Sequence, residues 1–218
     1  MTTTYAIGDI HGCLTQLQNL VEHCQDDGFD REIKFIFLGD YIDRGPNSRG
    51  VIEFLIEFQS LMPNQIICLR GNHEEMLLSA TANPANELHW LRNGGIQTLT
   101  SYKTSKPANI PARHIEWMHS LPTLHDDGMR LFVHAGINPD KPLNQQDEHD
   151  LLWMREPFLS STSDFGRFIV HGHTPLADNV PDLRLNRLNL DTGAVYDGPL
   201  TAAIFETKAI KPVGYLLD

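Results

Sequence analysis

Five short clusters of Asp, His and Asn contain the residues most able to do chemistry. They are Gly8-Asp9-Ile10-His11-Gly12, Gly39-Asp40-Tyr41-Ile42-Asp43-Arg44-Gly45, Arg70-Gly71-Asn72-His73-Glu74, Val133-His134-Ala135-Gly136 and Val170-His171-Gly172-His173-Thr174. Together they offer oxygen and imidazole donors without a thiolate, a set that suits Mn, Fe or Zn better than a soft metal. Asp9 and His11 lie two residues apart, so in an extended stretch both side chains point to one side. The flanking glycines allow tight turns and close approach to a ligand. One ion takes three or four protein ligands, and at least six candidates are present. Two ions about 3.5–4 Å apart, sharing a bridging carboxylate, use them most economically. Singly, each cluster reads as ordinary structure: Asp and His end strands, and Gly-Asn-His-Glu can open a helix with an acidic first turn. Five such clusters, each following an apolar run, point to a site.

The elements that must carry these clusters follow from the apolar periodicity. Tyr5–Gly8, Phe35–Leu38 and Ile66–Leu69 read as buried strands, with helical spacing between them at Leu14, Leu17, Leu20 and Val21 and at Val51, Phe54, Leu55 and Phe58. This strand–helix alternation implies an α/β (α+β) chain with a parallel or mixed sheet. Further strands are expected at Leu131–Val133, Phe168–Val170, Arg187–Leu190, Leu200–Phe205 and Val213–Leu216, and Asn138–Ser163 reads mainly as loop. The chain is expected to form a single domain over 1–218, with a helical cap insertion at about 79–130. Ligands of open α/β sheets bind beyond the carboxyl ends of strands, so all five clusters should converge on one rim.

The 218 residues include 28 acidic and 17 basic side chains, a formal charge of −11. That balance argues against nucleic acid or an anionic membrane surface as partner. No apolar run approaches the roughly 18 residues of a membrane span, and no targeting segment opens the chain. Three cysteines are too few for a disulfide scaffold and fit a reducing, cytoplasmic location. Eleven histidines are the unusual count. His23, His89, His114, His119, His125 and His149 show no ligand pattern and are assigned to surface or packing. Leu88–Leu91 reads as apolar packing.

The motifs Gly-Asp-x-His-Gly, Gly-Asp-x-x-Asp-Arg-Gly, Gly-Asn-His-Glu, His-Ala-Gly and Gly-His-Thr resemble those of the calcineurin-type metallophosphoesterases. Asp43-Arg44-Gly45 and Gly71-Asn72-His73-Glu74 resemble the phosphoprotein phosphatase branch, and in particular its small bacterial and phage lambda members. His89-Trp90-Leu91-Arg92-Asn93-Gly94-Gly95, Trp153-Met154-Arg155-Glu156 and Asp191-Thr192-Gly193-Ala194-Val195 extend the likeness over nearly the whole chain. The resemblance implies a two-sheet β-sandwich flanked by helices (αββα), with a dimetal site at the carboxyl ends of strands. It makes Asp9, His11 and Asp40 ligands of a first ion, with Asp40 bridging to a second held also by Asn72, His134 and His173. His171 is left either as a support behind the ligands or as a structural residue. Two divalent ions are implied, Mn first, with Fe or Zn as alternatives.

The activity so implied is a protein serine/threonine phosphatase, extending to phosphotyrosine, in which a metal-bridging hydroxide attacks phosphorus directly. His73 is the expected general acid, oriented and kept protonated by Asp43. Arg44, Arg155 and Asn72 would bind the phosphate, Arg155 mainly on the strength of Trp-Met-Arg-Glu. The expected partner is a phosphorylated protein or peptide, and no regulatory-subunit surface can be identified. Two rival readings are a symmetric diadenosine-tetraphosphatase-like hydrolase of dinucleoside polyphosphates and a catalytically silent scaffold. Retention of Asp43 favours the phosphatase over the first, and the complete ligand set disfavours the second.

Overall fold

A computed structural model describes residues 2–218. The elements run β1 (Thr2–Ile7), α1 (Leu14–Asp27), β2 (Glu32–Phe37), α2 (Ser48–Leu61), β3 (Ile66–Cys68), α3 (Asn72–Ala82), α4 (Glu87–Trp90), α5 (Ile96–Ser101) and α6 (Ala112–Ser120). They continue with β4 (Leu124–Asp126), β5 (Arg130–Val133), α7 (Glu148–Trp153), β6 (Phe168–His171), β7 (Asp182–Leu183), β8 (Arg187–Asn189), β9 (Thr201–Glu206) and β10 (Gly214–Leu217). One sheet has the order β10-β9-β1-β2-β3 and the other β4-β5-β6-β8-β7. In each, three adjacent strands run parallel: β1, β2 and β3 in the first, β5, β6 and β8 in the second.

Alternation along the strands builds the layers. Phe35 and Phe37 of β2 face α1 and α2, while Ile36 and Leu38 face the second sheet. In β5, Phe132 joins the layer between the sheets, and Leu131 and Val133 turn outward to Leu151 of α7 and to Phe158. A side-chain period of two therefore feeds three apolar layers from two sheets, the central strands being covered on both faces. The architecture is the expected sandwich flanked by helices.

Two local readings differ. The stretch 79–130 is helical only as far as Ser120, and Leu124–Asp126 is an edge strand paired antiparallel with β5. Within Asn138–Ser163, Glu148–Trp153 forms the short helix α7. Both are very short, so neither repeats its pattern often enough to stand out in the sequence.

Candidate metal centre

The carboxyl ends of β1, β2, β3, β5 and β6 all open at one edge of the sandwich, and each carries one of the five clusters. The backbone there takes up unusual conformations. His11 (φ 45°), Asp40 (φ 55°), Asp43 (φ 73°), Arg44 (φ 66°) and His173 (φ 66°) all lie in the left-handed region. Asp and His tolerate it better than most residues. Glu74, fully buried, ties the loops together: Oε2 accepts from the amides of Asp40 and Gly71, each at 2.9 Å, and Oε1 from Tyr41 at 2.8 Å. Burial, reinforced by Asp40, pushes its carboxyl up to about 7.

Asp40 stands at the centre. Its carboxylate belongs to two groups of potential ligands, one with His11 and His73, the other with His134 and His173. Oδ2 lies 3.5 Å from His11 Nε2, and Oδ1 lies 3.3 Å from His134 Nε2. Backbone carbonyls set the tautomers: His11 Nδ1 donates to Ile42 O at 2.8 Å and His134 Nδ1 donates to Leu38 O at 2.9 Å. Both Nε2 atoms are left with free lone pairs, the arrangement that orients metal-binding imidazoles.

The donor set fits divalent cations. Burial lowers the basicity of His134, so its Nε2 is an acceptor, yet it lies 2.8 Å from another acceptor, Asn72 Oδ1. The same oxygen is 2.8 Å from His173 Nδ1, whose basicity burial and His134 also depress. The His134 Nε2–Asn72 Oδ1 contact sets two acceptors against one another with no proton between them, and a cation would relieve it. On the other flank a cation already stands in: Arg44 Nη1 donates to His11 Nε2 at 2.6 Å. Asp9 is placed differently from the other expected ligands. Its two oxygens accept the His173 amide, each at 3.1 Å, and Gly172 has no room for a side chain because Asp9 fills the space. Burial, then repulsion from Asp191 and Asp40, holds its carboxyl well above the usual range, a destabilisation that a cation would relieve.

His73 and Asp43 form a buried pair, with His73 Nδ1 2.7 Å from Asp43 Oδ2 and His73 Nε2 3.9 Å from Asp40 Oδ2. Burial alone would lower the His73 pKa, but the carboxylates of Asp40 and Asp43 reverse the balance and raise it. Two further residues hold Asp43 in place. Trp90 Nε1 donates to Oδ2 at 2.9 Å, and Thr98 Oγ1 donates to Oδ1 at 2.7 Å. Sequence reading placed Trp90 among apolar packing residues and passed over Thr98. An indole in an apolar run gives no sign of where its N–H is aimed. Asp191, another buried acid, stands out in the sequence only within the Asp191-Thr192-Gly193-Ala194-Val195 likeness. Burial and Asp40 push it up to about 7.

Above Asp40, Asn72 and His73 opens a cavity of about 290 Å³ whose walls include Arg44, Asn93, Trp153, Arg155, His173 and Tyr196. Arg155 is thus brought to the site, and Arg44 reaches it while capping His11. His171 is buried away from the cavity, with Nε2 3.4 Å from Arg187 Nη1 and its ring edge-on to Phe158. His114 is buried against the Tyr102 hydroxyl at 2.8 Å, a packing role.

Comparison with known proteins matches residues 2–201 to the family model described as calcineurin-like phosphoesterase. The chain is 32% identical over 210 residues to serine/threonine-protein phosphatase 1 of Salmonella typhimurium, covering 91% of this chain and 90% of that protein. It is 29% identical over 233 residues to the asymmetrical bis(5'-nucleosyl)-tetraphosphatase of Bacillus cereus, covering 90% and 87% respectively. Among solved structures, the cold-active protein-tyrosine phosphatase of a psychrophilic Shewanella superimposes with a TM-score of 0.68 at 19% identity, over 94% of this chain and 75% of that one. Among the described residues no helix is long and apolar enough to cross a membrane.

Proposed function

This chain belongs to the calcineurin-like phosphoesterases, and from that premise we propose that it is a metal-dependent protein serine/threonine phosphatase. The observation that carries the reading is the buried His73–Asp43 pair at the floor of a cavity walled by Arg44 and Arg155. Asp9, His11 and Asp40 would hold one divalent ion, and Asp40, Asn72, His134 and His173 a second, Mn being the first candidate. When bound, the two ions offset phosphoryl charge and acidify a water.

The remaining work falls to the chain. Arg44 and Arg155 bind phosphate oxygens through charge-assisted hydrogen bonds, each contributing about 1.5–3 kcal/mol. His73, kept protonated by the neighbouring carboxylates, delivers its Nε2 proton to the departing seryl or threonyl oxygen. Asp43 accepts from Nδ1 and keeps the ring aimed, while Trp90 and Thr98 hold Asp43. Because water attacks phosphorus directly, no phosphoenzyme forms. The three thiols are free, in keeping with a reducing cytoplasm. A second reading, hydrolysis of dinucleoside polyphosphates, is supported by the Bacillus relative, which is asymmetrical where the sequence reading considered the symmetric reaction.

The test pairs His73→Asn with two leaving groups. On a seryl phosphopeptide the variant should lose about 10²–10⁴-fold in kcat, and far less on an activated aryl phosphate whose leaving group barely needs a proton. Equal losses on both would remove His73 as the acid. Including diadenosine tetraphosphate in the kcat/KM comparison separates the two substrate readings.

A further inference from the structure

A second groove, of about 440 Å³, adjoins the metal-site cavity and shares Arg44, Asn93 and Tyr196 with it. Arg92 and Gln97 complete its polar lining, and no carboxylate lines it. In a chain of net charge −11 this is a local reversal of sign. Arg92 is exposed and has no ion-pair partner among the described residues. The cavity on the other flank, about 280 Å³ and bordered by Trp153, carries Glu75 and His89. Glu75 there is already paired with Arg70 at 3.3 Å, so the two flanks differ in that, among the described residues, only the Arg92 side offers an unpaired charge.

The groove is also fixed rigidly to the site. Leu91–Gly95 is a kink between two helical segments, not a regular turn of helix. Within it Gly94 adopts φ 109°, and its carbonyl accepts from the Arg44 amide at 3.1 Å. A Cβ on Gly94 would lie 2.7 Å from that amide nitrogen, so the two loops touch backbone to backbone. Asn93 Nδ2 donates back to His89 O at 2.9 Å, bracing the same kink. Arg92 thus extends from a segment clamped to Arg44, and the exposed ring of Tyr196 lies 5.9 Å from the Arg44 guanidinium.

Resting on the phosphatase reading, we infer that this groove is a subsite for a second anionic group carried by the substrate beside the scissile phosphate. The source to which the inference commits is an acidic residue flanking the phosphorylated one. A further phosphate of a polyphosphate chain has the same chemistry and is separated by the assay.

The experiment uses the full chain loaded with Mn²⁺, as wild type, Arg92→Gln and Arg92→Glu. The reading is the ratio of kcat/KM between two phosphoserine peptides that differ by Glu or Ala beside the phosphoserine. Taking a ratio within one preparation cancels any folding defect. In wild type the Glu peptide should be favoured by about three- to fivefold, as for one partly solvated ion pair, and less at high salt. The ratio should fall to about one in Arg92→Gln and below one in Arg92→Glu. A wild-type ratio of one, or a ratio unchanged by Arg92→Gln, overturns the acidic-residue source. In parallel, inhibition of aryl phosphate hydrolysis by inorganic tripolyphosphate is compared with inhibition by orthophosphate. A tripolyphosphate advantage lost in Arg92→Gln, with no peptide turned over, keeps the subsite and removes the protein-phosphatase reading. No Arg92 dependence in either assay overturns the subsite.

Discussion

Replacing Trp90 by Phe removes one hydrogen-bond donor from Asp43 while keeping an aromatic ring in a fully buried position. A hydrogen bond to a charged partner contributes about 1.5–3 kcal/mol, so about 2 kcal/mol is a fair magnitude for the lost N–H. For a chain of this size each kcal/mol moves Tm by about 2–4 °C, giving a fall of about 4–8 °C. The catalytic effect is separable from the thermal one. Thr98 Oγ1 remains on Oδ1, but Oδ2, the oxygen that faces His73, loses its second donor. If half of the 2 kcal/mol is felt at His73, proton delivery slows by about fivefold. That loss should appear in kcat for a seryl phosphopeptide below the transition temperature, with turnover of an activated aryl phosphate nearly unchanged. Thermal melts and the two kcat values, taken at the same Mn²⁺ concentration, suffice. Equal slowing of both substrates would show that Trp90 supports the fold or the metal ligands and not the acid, and no slowing of either would refute the coupling.

Chelation should abolish turnover and lower Tm, and Mn²⁺ should restore both, because an ion at 100 times its Kd adds about 2.7 kcal/mol to the folded state; turnover that persists through exhaustive chelation refutes the dimetal reading. Burial and the Arg187 guanidinium push His171 down to about 3, whereas the unfolded chain protonates it near the ordinary value of about 6.5. Its contribution to stability is therefore complete above about pH 6.5 and is lost as pH falls toward 3, by up to about 1.4 kcal/mol per pH unit. Denaturant titrations of His171→Phe should show a flatter acid dependence than wild type, and parallel curves would contradict the assignment.

What the sequence makes legible is the chemistry that sits in contiguous residues. Asp9 with His11, Asp40 with Asp43 and Arg44, and Asn72 with His73 each lie in one short turn after an apolar strand, so type, spacing and position agree before any fold is known. The alternating burial of Phe35, Ile36, Phe37 and Leu38 announces a strand covered on both faces. Less legible are contacts made across the fold. Trp90 is 47 residues from Asp43 and Thr98 is 55, and each belongs to a pattern that apolar or small-residue packing explains equally well. Glu74 reads as first-turn acid on a helix, which it is, yet its carboxylate also clips the β2 loop 33 and 34 residues upstream. The strands β4 and β7 span three and two residues, too few to show a period, and exist only through antiparallel pairing with β5 and β8.

The backbone at the rim explains why the same few residues carry both the site and its cost. Among the described residues eight non-glycine positions have positive φ, and five of them, His11, Asp40, Asp43, Arg44 and His173, are at the centre. Each such conformation costs on the order of 1–3 kcal/mol and persists only where neighbours over-determine it. The neighbours are visible: Asp40 O accepts the amides of Ile10 and His11, Glu74 accepts those of Asp40 and Tyr41, and Gly94 O accepts that of Arg44. Those clamps are themselves anchored on strands and helices buried on several sides, so the sandwich offsets strain that the loops could not sustain alone. The buried carboxylates of Asp9, Asp40 and Asp191 add mutual repulsion at the same edge. Strain and repulsion together hold acceptor atoms against one another in a geometry that solvent-exposed loops would relax. A cation binding there relieves the repulsion and finds the backbone conformations already in place, so affinity for the ions is built from energy already invested in folding the rim.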